Sequence, residues 1–376
     1  MKRIQSLIFL CFLTFSGSPI WGWNDVGHMV VARIAYEKLS DSERAAILAI
    51  LRHHPQLNEL LLKDRPSQAK VEEWLFLKAA TWPDNVRPPR DHHREPVSSH
   101  PVYRYHHPTW HYANFEYRAG QQETALPRHP LPHHPAPSNP VDQTNIIEQL
   151  DHSYLIVRGR EREFSEPERE LNPAEIRAVR LCWLFHLMGD IHQPLHVTTF
   201  VEPRIPVLEH GDDGGNKLSI RVNHISTPRN LHAVCDDLLG TNPRYEKVVQ
   251  LAERLSHDPR LYVSRLPEFT RRRLAWEFAE ESYQAAKEII YQDGHLHYAL
   301  SSRVESHELT AESVPAMSQQ WIDHVHALAE RRIVLAGFRL ADRLRFIISQ
   351  DPHRIESLGK ISSPTIWVQP VGGFVK

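Results

Sequence analysis

Cysteine is scarce in this chain, with three among 376 residues, at Cys11, Cys182 and Cys235. That excludes a small scaffold held by disulfides, and a chain of this length buries a full core without them. A basic excess is also missing. The 44 Lys and Arg face 46 Asp and Glu, for a formal net charge of −2. A nonspecific binder of duplex DNA usually shows a strongly cationic face, because counterion release drives its affinity. The one long apolar run, residues 7–15, is too short to anchor the chain stably across a bilayer. No repeat of fixed period is visible.

That apolar run sits in a recognisable layout. Lys2 and Arg3 precede it, and Ser16, Gly17, Ser18, Pro19 and then Gly22 follow, directly before Trp23. This is the arrangement of a secretory signal peptide over residues 1–22, and it predicts export to the periplasm or the exterior. Cleavage would take Lys2 and Arg3 and no acidic residue, moving the net charge to −4.

The rest of the chain reads as helical. Apolar residues at three- and four-residue spacing predict helices over residues 26–39, 42–53, 68–80, 142–157, 173–189, 230–239, 267–292 and 317–349. Asn172 before Pro173 marks one start, an N-cap ahead of a first-turn proline. A hairpin is expected around residues 214–222, with the Gly211–Gly215 segment as its turn. The expected fold is therefore all-α, one globular helical domain over residues 23–350 with a small β-hairpin and long loops. Residues 351–376 read as an irregular tail.

Chemistry concentrates in two short segments. His186 and Asp190 are four apart, so on a helix they share one face and can reach the same metal ion. Pro194 is expected to stop that helix, sending His196 to a different point. His232 and Asp236 repeat the four-residue spacing behind Asn230, a good N-cap. With His196 they make three imidazole and carboxylate ligands, which leaves a metal position open for water or a phosphate oxygen. Harder cations prefer oxygen alone, so this many histidines point to zinc.

Six ordered segments carry a resemblance: Trp23 to His28, Trp82-Pro83-Asp84, Trp110-His111-Tyr112, the run from Phe185 to His196, Gly214-Gly215-Asn216-Lys217, and Asn230 to Asp236. Together they resemble the zinc-dependent, single-strand-specific nuclease family that includes mung bean nuclease, an all-α trinuclear-zinc fold shared with zinc-dependent phospholipase C. Ala336 to Ala341 is similar to that family's last helix.

The resemblance implies three zinc ions. Asp84, His111, His186 and Asp190 would hold the first; the backbone amine and carbonyl of Trp23, with His28 and a bridging Asp190, the second; His196, His232 and Asp236 the third. A free α-amine is the kind of nitrogen that can lose its proton and bind metal, so this role requires cleavage just before Trp23. The implied reaction is hydrolysis of single-stranded DNA and RNA by a zinc-activated hydroxide, giving 5′-phosphorylated products, with 3′-nucleotidase activity as an addition. Better-known members usually carry Asp where this chain has Asn114, three residues after His111. An amide there can orient water but cannot take its proton.

Substrate contacts are assigned to Tyr112 as a stacking platform, Asn216 as a reader of a base edge and Lys217 as a phosphate partner; the ordinary structural roles are packing, turn stabilisation and solvation. The inserts over residues 85–109 and 118–141 are rich in Pro and His, which forbids continuous helix. They are expected as solvated loops, the alternative being that they collect zinc or line the cleft beside Asp84 and His111. Cys182 and Cys235 read as two buried thiols, with a bridge between the ligand helices as the alternative, and Cys235 stands where the family commonly has Trp. No stable protein partner and no membrane anchor are expected. Two other functions remain open: a zinc-dependent phospholipase C, disfavoured because its third-zinc motif usually ends in Glu rather than Asp236, and a non-catalytic exported zinc-binding protein.

Overall fold

A computed structural model describes residues 23–89, 100–120, 126–127, 129–133, 136–137, 140–160, 166–271 and 274–349. The segments expected to be a signal peptide, residues 1–22, and an irregular tail, residues 351–376, lie outside them. Among the described residues the helices are α1 (Asp25–Lys38), α2 (Asp41–Leu51), α3 (Val71–Asn85), α4 (Ile146–Val157), α5 (Pro173–Asp190), α6 (Leu231–Asp236), α7 (Tyr245–Ser256), α8 (Pro267–Arg271), α9 (Ala275–Ala285), α10 (Ser301–Glu305) and α11 (Gln319–Ser349). None is long and apolar enough to cross a membrane.

Local sequence explains the helix starts. Asn24 caps α1 by accepting from Val26 N and Gly27 N, and Ser40 with Glu43, Asn145 with Glu148 and Asn172 with Glu175 form reciprocal capping boxes at α2, α4 and α5. Such a box satisfies backbone donors that would otherwise stay orphaned at a helix start. Helix α5 is buried continuously from Ala178 to Asp190. It runs through the centre, packed by α2, α3 and α4, while α11 lies along α1.

Two small sheets join distant segments. Strands β1 (Phe115–Arg118) and β2 (Thr198–Val201) pair in parallel, Phe115 opposite Thr198. Since β1 follows His111 and β2 follows His196, this pairing brings two predicted ligands together. Strand β3 (Leu218–Ile220) lies between β4 (Arg229–Asn230) and β5 (Ala299–Leu300), both antiparallel to it. The expected hairpin region thus holds one strand, and its partner arrives at Arg229.

Several boundaries differ from expectation. Helix α3 runs on through Pro83 to Asn85 and so carries Asp84 itself. Helix α5 ends at Asp190, capped by Ile191, and Pro194 opens a separate 3₁₀ turn, Pro194–His196. Helix α7 was not anticipated, although Val248, Ala252 and Leu255 bury one stripe of it. The first insert is not simply a solvated loop: Tyr105 and His107 are buried, and His107 stacks on Trp110 with ring centroids 3.9 Å apart. Aromatic packing captures a segment whose composition suggested solvent.

Candidate metal centre

Four elements deliver one buried group of side chains. Helix α1 supplies His28, α3 supplies Asp84, the 3₁₀ turn Pro108–His111 supplies His111, and α5 supplies His186 and Asp190. The Asp190 carboxylate faces two ways. Its Oδ1 lies 3.2 Å from His28 Nε2, while Oδ2 lies 3.1 Å from His111 Nδ1 and 3.0 Å from His186 Nε2. Asp84 Oδ1 is 3.9 Å from His186 Nε2. His28 and His186 stack with centroids 3.9 Å apart. Both Asp84 Oδ2 and Asp190 Oδ1 are buried with no hydrogen-bond donor.

A second group forms where His196 meets α6. Asn230 Oδ1 caps α6 through Ala233 N, as its sequence suggests, and His232 and Asp236 project from that helix. His232 Nε2 lies 3.2 Å from His196 Nε2 and 3.5 Å from Asp236 Oδ2. Two contacts just ahead of the paired strands hold the groups side by side: Ala113 N donates to His196 O at 2.8 Å, and His196 Nδ1 lies 2.6 Å from His111 O.

Backbone carbonyls settle the tautomers. His186 Nδ1 faces Ala80 O at 2.8 Å, His196 Nδ1 faces His111 O, and His232 Nδ1 faces Gly214 O at 2.7 Å. A carbonyl only accepts, so each Nδ1 carries the hydrogen, and each ring, when neutral, keeps its lone pair on Nε2. The His196 and His232 lone pairs therefore oppose each other at 3.2 Å. Acceptors that converge in this way need a cation between them. The residues fit a metal, and His28, Asp84 and His186, His111, His186 and Asp190, and His196, His232 and Asp236 each converge closely enough to hold an ion.

Electrostatics tells the same story for the metal-free protein. Burial favours neutral His186, but the carboxylates of Asp190 and Asp84 outweigh it and push the imidazole up to about 9. Burial, by contrast, takes His111 down to about 4 and lowers His28. Burial also works against charge on Asp190 and Asp84, yet His186 and its neighbours hold both carboxyls below their ordinary range. Asp236 has no such cation beside it, and burial drives it well above that range.

A cavity of about 130 Å³ opens beside the second group, lined by Tyr112, Asn114, Leu131, Pro132, Leu195, His210, Asp213, Gly214 and His232. Tyr112 and Asn114 thus line one cavity with His232, and Leu131 and Pro132 of the second insert join them. Asn216 and Lys217 are engaged in the turn: Asn216 Nδ2 donates to Asp213 O at 2.8 Å, and Lys217 Nζ donates to Gly211 O at 2.7 Å. Trp23 is buried, its side chain against Gly27, where an added Cβ would stand 2.6 Å from Trp23 Cβ. Cys182 and Cys235 are separate buried thiols.

Three residues escaped the sequence reading. Gln193 is buried between the groups, its Nε2 donating to Asp236 Oδ1 at 2.7 Å. Arg87 Nη2 lies 3.0 Å from Asp84 Oδ1; its three-residue spacing from Asp84 was the available signal. Gly189 leaves room for His28, whose Nδ1 would lie 2.8 Å from a Cβ at that position.

A helical domain whose buried imidazoles and carboxylates converge on shared points belongs to the class of metal-site proteins. More particularly, the S1/P1 nuclease family profile matches residues 23–349, and the chain belongs to that family. It is accordingly a hydrolase of nucleic acids. A search of curated proteins found no match.

Proposed function

We propose that the mature chain is an exported, zinc-dependent endonuclease that cuts single-stranded DNA and RNA to 5′-phosphorylated products and also removes 3′-phosphates from nucleotides. The observation that carries this reading is the convergence of His196, His232 and Asp236 on one point, with His232 also lining the Tyr112–Asn114 cavity. His28, Asp84, His111, His186 and Asp190, with the amine and carbonyl of Trp23, would hold two zinc ions, and His196, His232 and Asp236 a third. Bound zinc supplies acidified water near neutral pH and positive charge opposite a phosphate.

The chain's own residues do the rest. Ala80, His111 and Gly214 carbonyls fix three ligand tautomers, so no proton must be moved from Nε2 of a neutral ring before metal binds. His186 first and then Arg87 keep Asp84 ionised against burial, and Arg87 also orients it. Asn114 can hold water or a base edge but accepts no proton, so it is a positioning group and not a general base. The cavity takes one flat base against Tyr112, and only an unpaired strand offers such a base without the cost of unstacking a duplex. Each stacking contact is worth about 1–3 kcal/mol.

The test is to purify the exported protein, confirm Trp23 as its first residue by mass spectrometry, and assay it with zinc on single- and double-stranded DNA, RNA and phosphatidylcholine. Chelator-sensitive release of 5′-mononucleotides from single strands is expected. Turnover of phosphatidylcholine alone, or full zinc loading without any hydrolysis, would overturn it.

A further inference from the structure

The turn over residues 211–215 forms one wall of the substrate cavity, and it contains a carboxylate that the proposed reaction does not use. Asp213 lines the cavity with Tyr112, Asn114 and His232. Its backbone is left-handed, with φ 55°, a conformation that Asp tolerates better than most residues and Gly tolerates best. The shape is enforced locally. Asn216 holds Asp213 O with its backbone N at 3.3 Å and its side-chain Nδ2 at 2.8 Å, and Lys217 Nζ, bonded to Gly211 O, lies 3.3 Å from Asp213 Oδ1. About half of the Asp213 side chain remains exposed.

A negative group on the wall of a cavity for a polyanion is unfavourable unless the ligand brings donors to it. Metal binding gives it no role, since it belongs to neither converging group. Among the bases, guanine offers two adjacent donors, N1–H and the N2 amine, which match the two oxygens of one carboxylate; adenine, cytosine and thymine do not present that pair. Guanine O6 beside them needs a donor, and the Asn114 amide lines the same cavity.

We propose that Asp213 is a specificity-determining residue that selects guanine in the cavity beside His232, with Asn114 donating to O6. The assignment rests on the nuclease reading above, and it goes beyond that reading by naming the base. A charge-assisted pair is worth roughly 1–3 kcal/mol of discrimination, and partial exposure of Asp213 places the effect at the lower end, about five- to tenfold.

The experiment uses the zinc-loaded mature protein and two readouts. The first is kcat/KM on single-stranded oligonucleotides that differ only in the base at one position; the second is equilibrium binding of 5′-GMP against 5′-AMP by calorimetry. Wild type should favour guanine about five- to tenfold in both, and Asp213→Asn and Asp213→Gly should bring the ratio close to one. Both substitutions suit the left-handed backbone, so the turn survives. Equal binding of GMP and AMP by wild type, or variants that tighten both nucleotides equally because only phosphate repulsion was relieved, would overturn the proposal. Guanine selectivity in binding without any hydrolysis would instead uphold Asp213 and remove the nuclease reading.

Discussion

Replacing Gln193 by Leu tests whether the second group is built as a metal site. Gln193 is fully buried. Its Nε2 donates to Asp236 Oδ1 at 2.7 Å and its Oε1 accepts from Leu195 N at 2.6 Å, so one side chain ties the carboxylate of α6 to the turn that carries His196. Leu has a similar volume and neither polar function. The substitution leaves a buried carboxylate oxygen and a buried N–H without these partners, and a hydrogen bond to a charged acceptor contributes about 1.5–3 kcal/mol. At 1.4 kcal/mol per tenfold, that is roughly a 10- to 100-fold loss of affinity for one zinc, the range found when outer-shell partners of metal ligands are removed. Zinc retained per chain, counted by mass spectrometry against graded chelator, should fall by one equivalent at the lower chelator concentrations, while ions held through Asp190 stay. Gln193→Glu should be worse, because it brings a second negative charge to Asp236. Unchanged retention in Gln193→Leu would refute the reasoning.

Three further expectations follow from the same geometry. Gly189→Ala gains about 1 kcal/mol in helix propensity, but the new Cβ falls 2.8 Å from His28 Nδ1, and His28 is already stacked on His186 at 3.9 Å. Helix content by circular dichroism should hold while zinc affinity drops at least about tenfold; wild-type affinity would show that His28 is not a ligand. In the metal-free protein His186 rises from 6.5 to about 9, so its contribution to stability is full below pH 6.5 and is lost as the pH climbs through 9. Zinc uptake at pH 7.5 must then release protons, and calorimetry in two buffers of different ionisation enthalpy should detect them; no release would contradict the assignment. Cys182 and Cys235 should resist a thiol reagent in the folded mature protein and give two equivalents on denaturation, whereas fewer than two would mean a bridge.

The spacing of the candidate ligands was legible because a helix repeats every 3.6 residues, so His186 with Asp190 and His232 with Asp236 declare a common face in sequence alone. The helical class was legible for the same reason. What brings the faces together was not. The parallel pairing of β1 with β2 joins segments about eighty residues apart in sequence through two four-residue strands, too short to leave an alternating pattern. Helix α3 shows a second limit: it was expected to end at residue 80, yet it continues through Pro83, which has no N–H to give Ala79 O, and carries Asp84 in its last turn. The positioning residues Gln193 and Arg87 gave a weaker signal than the ligands, since a buried amide or guanidinium has no periodicity of its own.

The turn between Asp190 and His196 explains how one segment can serve both groups. A helix end leaves carbonyls without partners, and here α9 and α11 take them: Ser282 Oγ donates to Ile191 O at 2.6 Å and Arg332 Nε to His192 O at 3.1 Å. His192 itself points away from both groups, its Nδ1 2.8 Å from Met188 O and its Nε2 2.7 Å from Arg339 Nη1. With Nδ1 donating to a carbonyl, Nε2 must accept from the guanidinium, so His192 is held neutral, and burial lowers it well below the usual histidine range. Glu281 then balances Arg332 and Arg339 at 2.7 Å each. Four buried side chains from three elements thus fix the backbone that spaces Asp190 from His196. The middle histidine of this motif, His192, is therefore structural, and its chemistry differs from that of its neighbours because its lone pair is already taken.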